Sequence, residues 1–318
     1  MAREAHAPSG TPIEGGCFDV TRSSSDLARS CLLAGALGDA WGGPYEGGTA
    51  LGVAPFPSTP RISDDTWLTL ATCEAIVRAG GRIVPEAIAK TFVAWYGGGR
   101  LAGIGSATLK ALRDLAAGAH WALAGASGEF AAGSGAAMRV APLAFMLDPE
   151  VDRDRQTLRD VARITHRNDE AYAGAVAVLA AIRARVRSST RDLLEEAAAV
   201  TPDSAVRDRL LEIQPLRDSA AAVATKYGSS GHVVDAVPLA LYVARSHASS
   251  SLTAMLAEAA GLGGDTDTIA AMAGQIAGAG LDCADLPWTR VRSIADIAEV
   301  ERGVDAFAGL LARVGRGR

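Results

Sequence analysis

From about Ser24 onward, apolar side chains recur at helical spacing, and no run alternates at the period of a strand. That pattern confines the chain to helices packed on helices. The chain has 318 residues, of which 49% are hydrophobic but only 5% aromatic. The core must therefore be built from Ala, Leu, Val and Ile. Small side chains let helix axes approach closely, which favours a compact helical bundle over a sandwich of β-branched and aromatic residues.

Local signals divide the chain. Ser25 is expected to cap a first helix that runs to about Asp39 and ends at Gly42-Gly43-Pro44. A second starts at Ser63-Asp64-Asp65 and runs toward Ala79, where Gly80-Gly81 stops it. Pro85 opens a third, which ends at Gly97-Gly98-Gly99. Further helices are expected around 105–118, 134–147, 152–164, 169–187, 190–200, 203–212, 233–246, 249–260, 266–279 and 296–314, with Pro142 kinking or shortening the second of these. Residues 1–22 are polar and rich in Gly and Pro, and read as a disordered or loosely packed tail. No linker divides the remainder, so one α-helical domain over 23–318 is the economical expectation.

Several function classes are excluded early. The net charge is −5 with no basic run, so no nucleic-acid partner is expected. Cys17, Cys31, Cys73 and Cys283 are scattered without CxxC spacing and read as reduced thiols of a cytoplasmic protein. The N-terminus lacks the apolar stretch of a secretory signal. Apolar segments such as 173–182 are too short to span a bilayer. With no heptad run and no long exposed apolar stripe, a monomer is expected.

Two acidic clusters carry the chemistry. Asp64 and Asp65 open one helix, and Asp265 and Asp267 lie in Gly263-Gly264-Asp265-Thr266-Asp267-Thr268 at the start of another. Acids and hydroxyls suit helix starts as caps, so capping alone is the plain alternative. One cap needs one acid, however, and the Gly-Gly pair permits close approach of a ligand. Four carboxylates and several hydroxyls are hard oxygen donors suited to Mg²⁺ or Mn²⁺. The histidines do not cluster with cysteines, which argues against zinc. Two divalent cations would offset the repulsion among the acids and equip the site to activate water.

These clusters also carry a family likeness. Ser63-Asp64-Asp65-Thr66 followed by the segment Gly263–Ala270 resembles the binuclear metal signature of the ADP-ribosylglycohydrolases, of the dinitrogenase reductase-activating glycohydrolase and ADP-ribosylhydrolase type. In the same order, 35–42 with Glu46, 133–139, Thr165-His166 and 231–236 resemble four other family segments. The likeness covers about residues 25–282. It implies an all-α, single-domain orthogonal helical bundle with a binuclear metal cleft at its centre. Ser63, Asp64, Asp65, Asp265, Asp267 and Thr268 would ligate the metals, with Ser63 standing where Thr is usual. Glu46, Asp65 and Asp267 would serve catalysis.

Substrate contacts are implied for Gly105, Gly133, Ser134, Gly135, Met138, Arg139, His166, Tyr227 and Gly228. Gly133–Gly135 would offer backbone N–H groups to a phosphate, and Tyr227-Gly228 would wall the adenine or its ribose. Arg139 would pair with phosphate or with an acid inside the fold. The implied partner is ADP-ribose on a modified protein, and the implied reaction is metal-dependent hydrolysis at the anomeric carbon through an oxocarbenium-like state. A hydrolase of a small ADP-ribose derivative or other nucleotide glycoside, and a non-catalytic ADP-ribose binding or immunity protein, are the alternatives. One departure matters: Gly103-Ile104-Gly105 stands where arginine-directed members carry Asp-Ile-Gly. Glycine cannot offer the carboxylate that binds a guanidinium bidentately, which leaves arginine N-linked and serine-type O-linked substrates both open.

Overall fold

The computed structural model describes residues 22–101, 103–246 and 251–315. Apart from Arg22, the expected tail lies outside the described residues, as does Cys17. The chain is helical almost throughout. The first helices are α1 (Ser24–Gly42), α2 (Asp64–Arg78), α3 (Pro85–Gly97), α4 (Ser106–Ala116) and the short α5 (Trp121–Ala124) and α6 (Ala141–Ala144). Next come α7 (Asp152–Ala162), α8 (Asp169–Val186), α9 (Leu193–Val200), α10 (Ala205–Ile213) and α11 (Ala220–Tyr227). The last are α12 (Val233–Ser246), α13 (Leu252–Ala260), α14 (Thr266–Gly278), α15 (Trp288–Val291) and α16 (Ile297–Gly315). Among the described residues the only strands are β1 (Ala126–Ser127) and β2 (His166–Arg167), paired in parallel. Two residues per strand are too few for any alternation to register in sequence. No described helix is long and apolar enough to cross a membrane.

α1, α8 and α14 are apolar and buried on nearly every side, as central helices must be, and the others cover them. The crossing of α1 on α14 is built from glycine. A Cβ at Gly38 would lie 2.1 Å from the Ala270 carbonyl oxygen, and one at Gly274 would lie 2.4 Å from that of Ala34. Only hydrogen side chains let the two backbones meet this closely. This contact fixes the C-terminal end of α1 against the N-terminal end of α14, where Thr266 Oγ1 donates to the Gly42 carbonyl at 2.9 Å.

Three local expectations are corrected. Ser23, not Ser25, caps α1, its Oγ accepting from the Asp26 amide at 3.2 Å. α11, capped by Ser219, was not anticipated from the sequence. The expected helix over 134–147 is instead a 3-10 turn at Ser134–Ala136 followed by α6. Pro142 explains the break. It has no N–H to give the Met138 carbonyl, which accepts from Gln275 Nε2 of α14 at 2.8 Å instead. The Gly135 carbonyl, which an α-helix would also use, accepts from Arg139 Nε at 3.1 Å.

Candidate active site

Glu46, Asp65, Asp265 and Asp267 come from different parts of the chain and line one cavity, with the fully buried Asp39 beside Asp65 and Asp267. The cavity's volume is about 750 Å³. Asp39, Asp65 and Asp267 bring one carboxylate oxygen each within 4.8 Å of one another, and so do Glu46, Asp265 and Asp267. Asp267 belongs to both triads. Asp65 sits in the first turn of α2 and Asp267 in the first turn of α14, so both helices aim their positive ends at the acids.

The hydroxyls predicted as ligands hold these acids. Ser63 Oγ donates to Asp65 Oδ2 at 3.1 Å, and Thr268 Oγ1 donates to the same oxygen at 3.2 Å. Asp65 Oδ1 is buried with no hydrogen-bond partner among the described residues. Asp64 lines the cavity wall beside this cluster but joins neither triad. Ser63 is half-buried at the α2 cap and is not among the residues that line the cavity.

Glu46 reaches the site because its loop is stitched to the Gly-Gly turn. The Gly47 amide donates to the Gly264 carbonyl at 2.8 Å, and the Gly264 amide donates to the Gly48 carbonyl at 3.2 Å. Gly264 has a φ of +75°, and a Cβ there would lie 2.1 Å from the Ser229 carbonyl oxygen. The close approach foreseen for this glycine pair is therefore to neighbouring backbone.

The electrostatics are those of acids crowded without counter-charge. Burial, then the charges of Asp267 and Asp39, raises the Asp65 carboxyl well above its usual range. Burial also raises Asp64 well above that range. Asp39 and Asp265 are lifted to about 7, each chiefly by burial, with Asp267 adding repulsion. Asp267 is raised by burial as well. Exposed Glu46 is raised mainly by the nearby charge of Asp267. An all-oxygen donor set, an unpartnered buried carboxylate oxygen and mutual repulsion together fit a site for hard divalent cations.

Asp39 had not been singled out as a site residue. It is fully buried, and its two carboxylate oxygens accept from the Ser63 amide at 2.9 and 3.0 Å; one of them also accepts from the Thr66 amide at 3.1 Å and the Thr66 hydroxyl. An α1 residue thus caps α2 while it stands in the acidic cluster. The available signal was a single acid in the otherwise apolar run from Cys31 to Trp41.

Gly105, Gly133, Ser134, Gly135, Met138 and His166 line the cavity, as do Asp265 and Thr268. Ser134 Oγ is 3.4 Å from Asp265 Oδ2. Three other expected contacts lie elsewhere. Arg139 is 1% exposed and reaches neither the cavity nor an acid; its Nη2 donates to Thr165 Oγ1 at 2.7 Å and the Val161 carbonyl at 3.3 Å. Tyr227 packs toward the core with Arg209 and Lys226 over its ring, and Gly228 backs onto the Asp235 carboxylate. Ser230, Gly231 and His232 take that side of the cavity. Phe130, 99% exposed at the rim, was not foreseen.

Comparison with known proteins agrees with this fold. The family model described as ADP-ribosylglycohydrolase matches residues 21–317. An uncharacterised protein of Archaeoglobus fulgidus is 31% identical over 269 residues, covering 79% of this chain and 86% of its own length. The ADP-ribosylarginine hydrolase Tri1 of Pseudomonas putida is 28% identical over 297 residues, covering 88% of this chain and 77% of its own. A solved structure titled ADP-ribosylglycohydrolase-related protein complex shares the fold, with a TM-score of 0.68, 24% identity and coverage of 91% of this chain and 99% of that one. The chain belongs to the ADP-ribosylglycohydrolase family and is a hydrolase of glycosidic bonds.

Proposed function

We propose that the chain is a metal-dependent ADP-ribosyl hydrolase that releases ADP-ribose from a modified protein side chain. The observation that carries this reading is the pair of overlapping acid triads on the floor of a cavity large enough for a nucleotide. Asp39, Asp65 and Asp267 would hold one cation, and Glu46, Asp265 and Asp267 would face the second, with Asp64, Ser63 and Thr268 close by. Two divalent cations, Mg²⁺ or Mn²⁺, would supply Lewis acidity and the positive charge that lets the acids ionise together.

The chain's own groups supply the rest. Glu46 is the exposed member of its triad, free to orient a water toward the anomeric carbon and to accept its proton. The nearby charge of Asp267, and then burial, raises its carboxyl pKa above the usual glutamate value, which strengthens it as a proton acceptor. Gly133, Gly135 and the ring of His166 line the cavity and would supply donors for ligand oxygens, while the Ser134 amide is committed to the Gly231 carbonyl at 3.0 Å.

The arginine linkage is supported by the name of the Pseudomonas putida relative. A serine-type O-linkage is supported by Gly103. This residue lines the cavity at a φ of +78°, where a Cβ would lie 3.6 Å from Asp64 Oδ1, and it offers no carboxylate to a guanidinium. Incubation with ADP-ribosylated arginine and serine peptides, with and without Mg²⁺ or Mn²⁺, tests both. Free ADP-ribose from either peptide only when metal is present supports the reading. Tight ADP-ribose binding without turnover would replace it with a binding protein.

A further inference from the structure

Arg139 is a fully buried cation held without an ion pair among the described residues. Its hydrogen bonds go to the carbonyls of Gly135 and Val161 and to the hydroxyl of Thr165, and its guanidinium carbon stands 5.0 Å from the centre of the Phe92 ring. Burying a cation this way is costly, so what its charge and donors accomplish is a fair question. They point at one neighbour, His166.

A guanidinium can only donate, so at 2.7 Å from Arg139 Nη2 the Thr165 oxygen accepts. Thr165 Oγ1 also lies 2.8 Å from His166 Nδ1. Thr165 is fully buried, and its hydroxyl has no other acceptor among the described hydrogen bonds. Its one proton therefore goes to Nδ1. A ring nitrogen that accepts carries no proton, which leaves the imidazole proton on Nε2.

Nε2 is the atom turned to the cavity. It has no protein partner among the described residues, and His166 lines the cavity against Gly133 and Gly135. A Cβ at Gly133 would lie 3.2 Å from Nε2, and one at Gly135 would lie 2.7 Å from Cε1. Both glycines keep the ring's face clear, and Arg139 Nε fixes the Gly135 carbonyl behind it.

We propose that Arg139, acting through the Thr165 hydroxyl, is a positioning residue that locks His166 as a neutral ring with its proton on Nε2, aimed as a donor at a substrate oxygen. The charge state agrees. Burial and then the Arg139 charge drive the His166 pKa down to about 3, while Arg139, lowered by burial to about 9, remains a cation at neutral pH. The acceptor's identity as an oxygen of ADP-ribose rests on the ADP-ribosyl hydrolase reading; the tautomer does not.

The test separates the two. Long-range ¹H–¹⁵N correlation spectra of ¹⁵N-histidine-labelled full-length protein report which ring nitrogen of His166 is protonated, with His166→Gln identifying the signals. The expected wild-type spectrum has the proton on Nε2 from pH 6 to pH 8. Thr165→Val is expected to give mixed tautomers, and Thr165→Ser to restore the single one. With ADP-ribosylated peptide and Mn²⁺, Thr165→Val is expected to lower kcat/KM about tenfold, the loss of one aligned hydrogen bond, with Thr165→Ser restoring it. A wild-type ring protonated on Nδ1 overturns the proposal, even if Thr165→Val fails to fold. So does an unchanged tautomer in a folded Thr165→Val. If the spectra agree but the wild type turns over no ADP-ribosyl peptide, the tautomer stands and the substrate reading fails.

Discussion

Thr268 Oγ1 donates a hydrogen bond of 3.2 Å to Asp65 Oδ2, joining the first turns of α14 and α2 across 203 residues of sequence. The acids of the two helix starts are thereby fixed relative to one another before any ligand arrives. Glu46, on a loop tied to the Gly-Gly turn, is the least constrained acid of the set.

That difference separates two substitutions. Glu46→Gln removes an exposed carboxylate, so stability should change by less than about 0.5 kcal/mol. Activity should fall by roughly 10²–10⁴-fold, the range for loss of a general base. Asp65→Asn should abolish both activity and the response of the melting temperature to divalent cations. Kinetics beside thermal melts with and without Mn²⁺ check the pair. Full activity in Asp65→Asn with metal present would remove the metal-dependent mechanism.

Removal of metal should destabilise the protein. The folded acids repel, and a cation that binds only the folded state adds RT ln(1 + [M]/Kd), about 2.7 kcal/mol at a hundredfold excess over Kd. EDTA should lower the melting temperature, and Mg²⁺ or Mn²⁺ should raise it with concentration. Ca²⁺ and Zn²⁺ titrations beside them rank the preference of an all-oxygen site.

The α1–α14 crossing makes a prediction opposite to helix propensity. Gly→Ala inside a helix ordinarily gains up to about 1 kcal/mol. Gly38→Ala should instead cost more than about 2 kcal/mol, because its methyl would meet the Ala270 backbone at 2.1 Å and backbone cannot swing aside. Gly97→Ala, with nothing within 4 Å of its Cβ, is the control and should be neutral or slightly stabilising. Urea melts of both variants decide it.

His166 gives a pH dependence with a definite sign. Its folded pKa of about 3 lies below the usual histidine value of 6.5. Between those values the unfolded chain binds a proton that the folded chain refuses, so this group withdraws stability as the pH falls from about 6.5 toward 3 and contributes no slope above 6.5. The raised carboxyls slope the opposite way, so the measurement is a difference at fixed metal concentration. Wild type should lose stability relative to His166→Gln as the medium is acidified. A constant difference from pH 8 to pH 4 would contradict the buried neutral ring.

Much of this was legible in the sequence, for physical reasons that differ by element. α2 and α3 were readable because Ser63 and Pro85 announce their starts and runs of two and three glycines their ends. The acid pairs Asp64-Asp65 and Asp265/Asp267 stood out because a cap needs one acid. Asp39 escaped because it lies in the last turn of an apolar helix, and only the tertiary crossing reveals that it caps a different helix. The break at 134–147 depends on Thr69 of α2 and Gln275 of α14, which donate to the Met138 carbonyl that Pro142 leaves unbonded. Arg139 showed its chemistry in sequence but not its direction, and the fold turned it away from the cavity toward Thr165.

The shared membership of Asp267 in both triads also has a meaning for synthesis. As the chain leaves the ribosome, Asp39, Glu46 and Asp65 emerge early, yet each triad lacks its common member until the α14 start has been translated. A nascent chain thus carries only the early acids, and neither triad is complete until α14 closes onto α1. Completion of the fold and assembly of the acid site become a single late event.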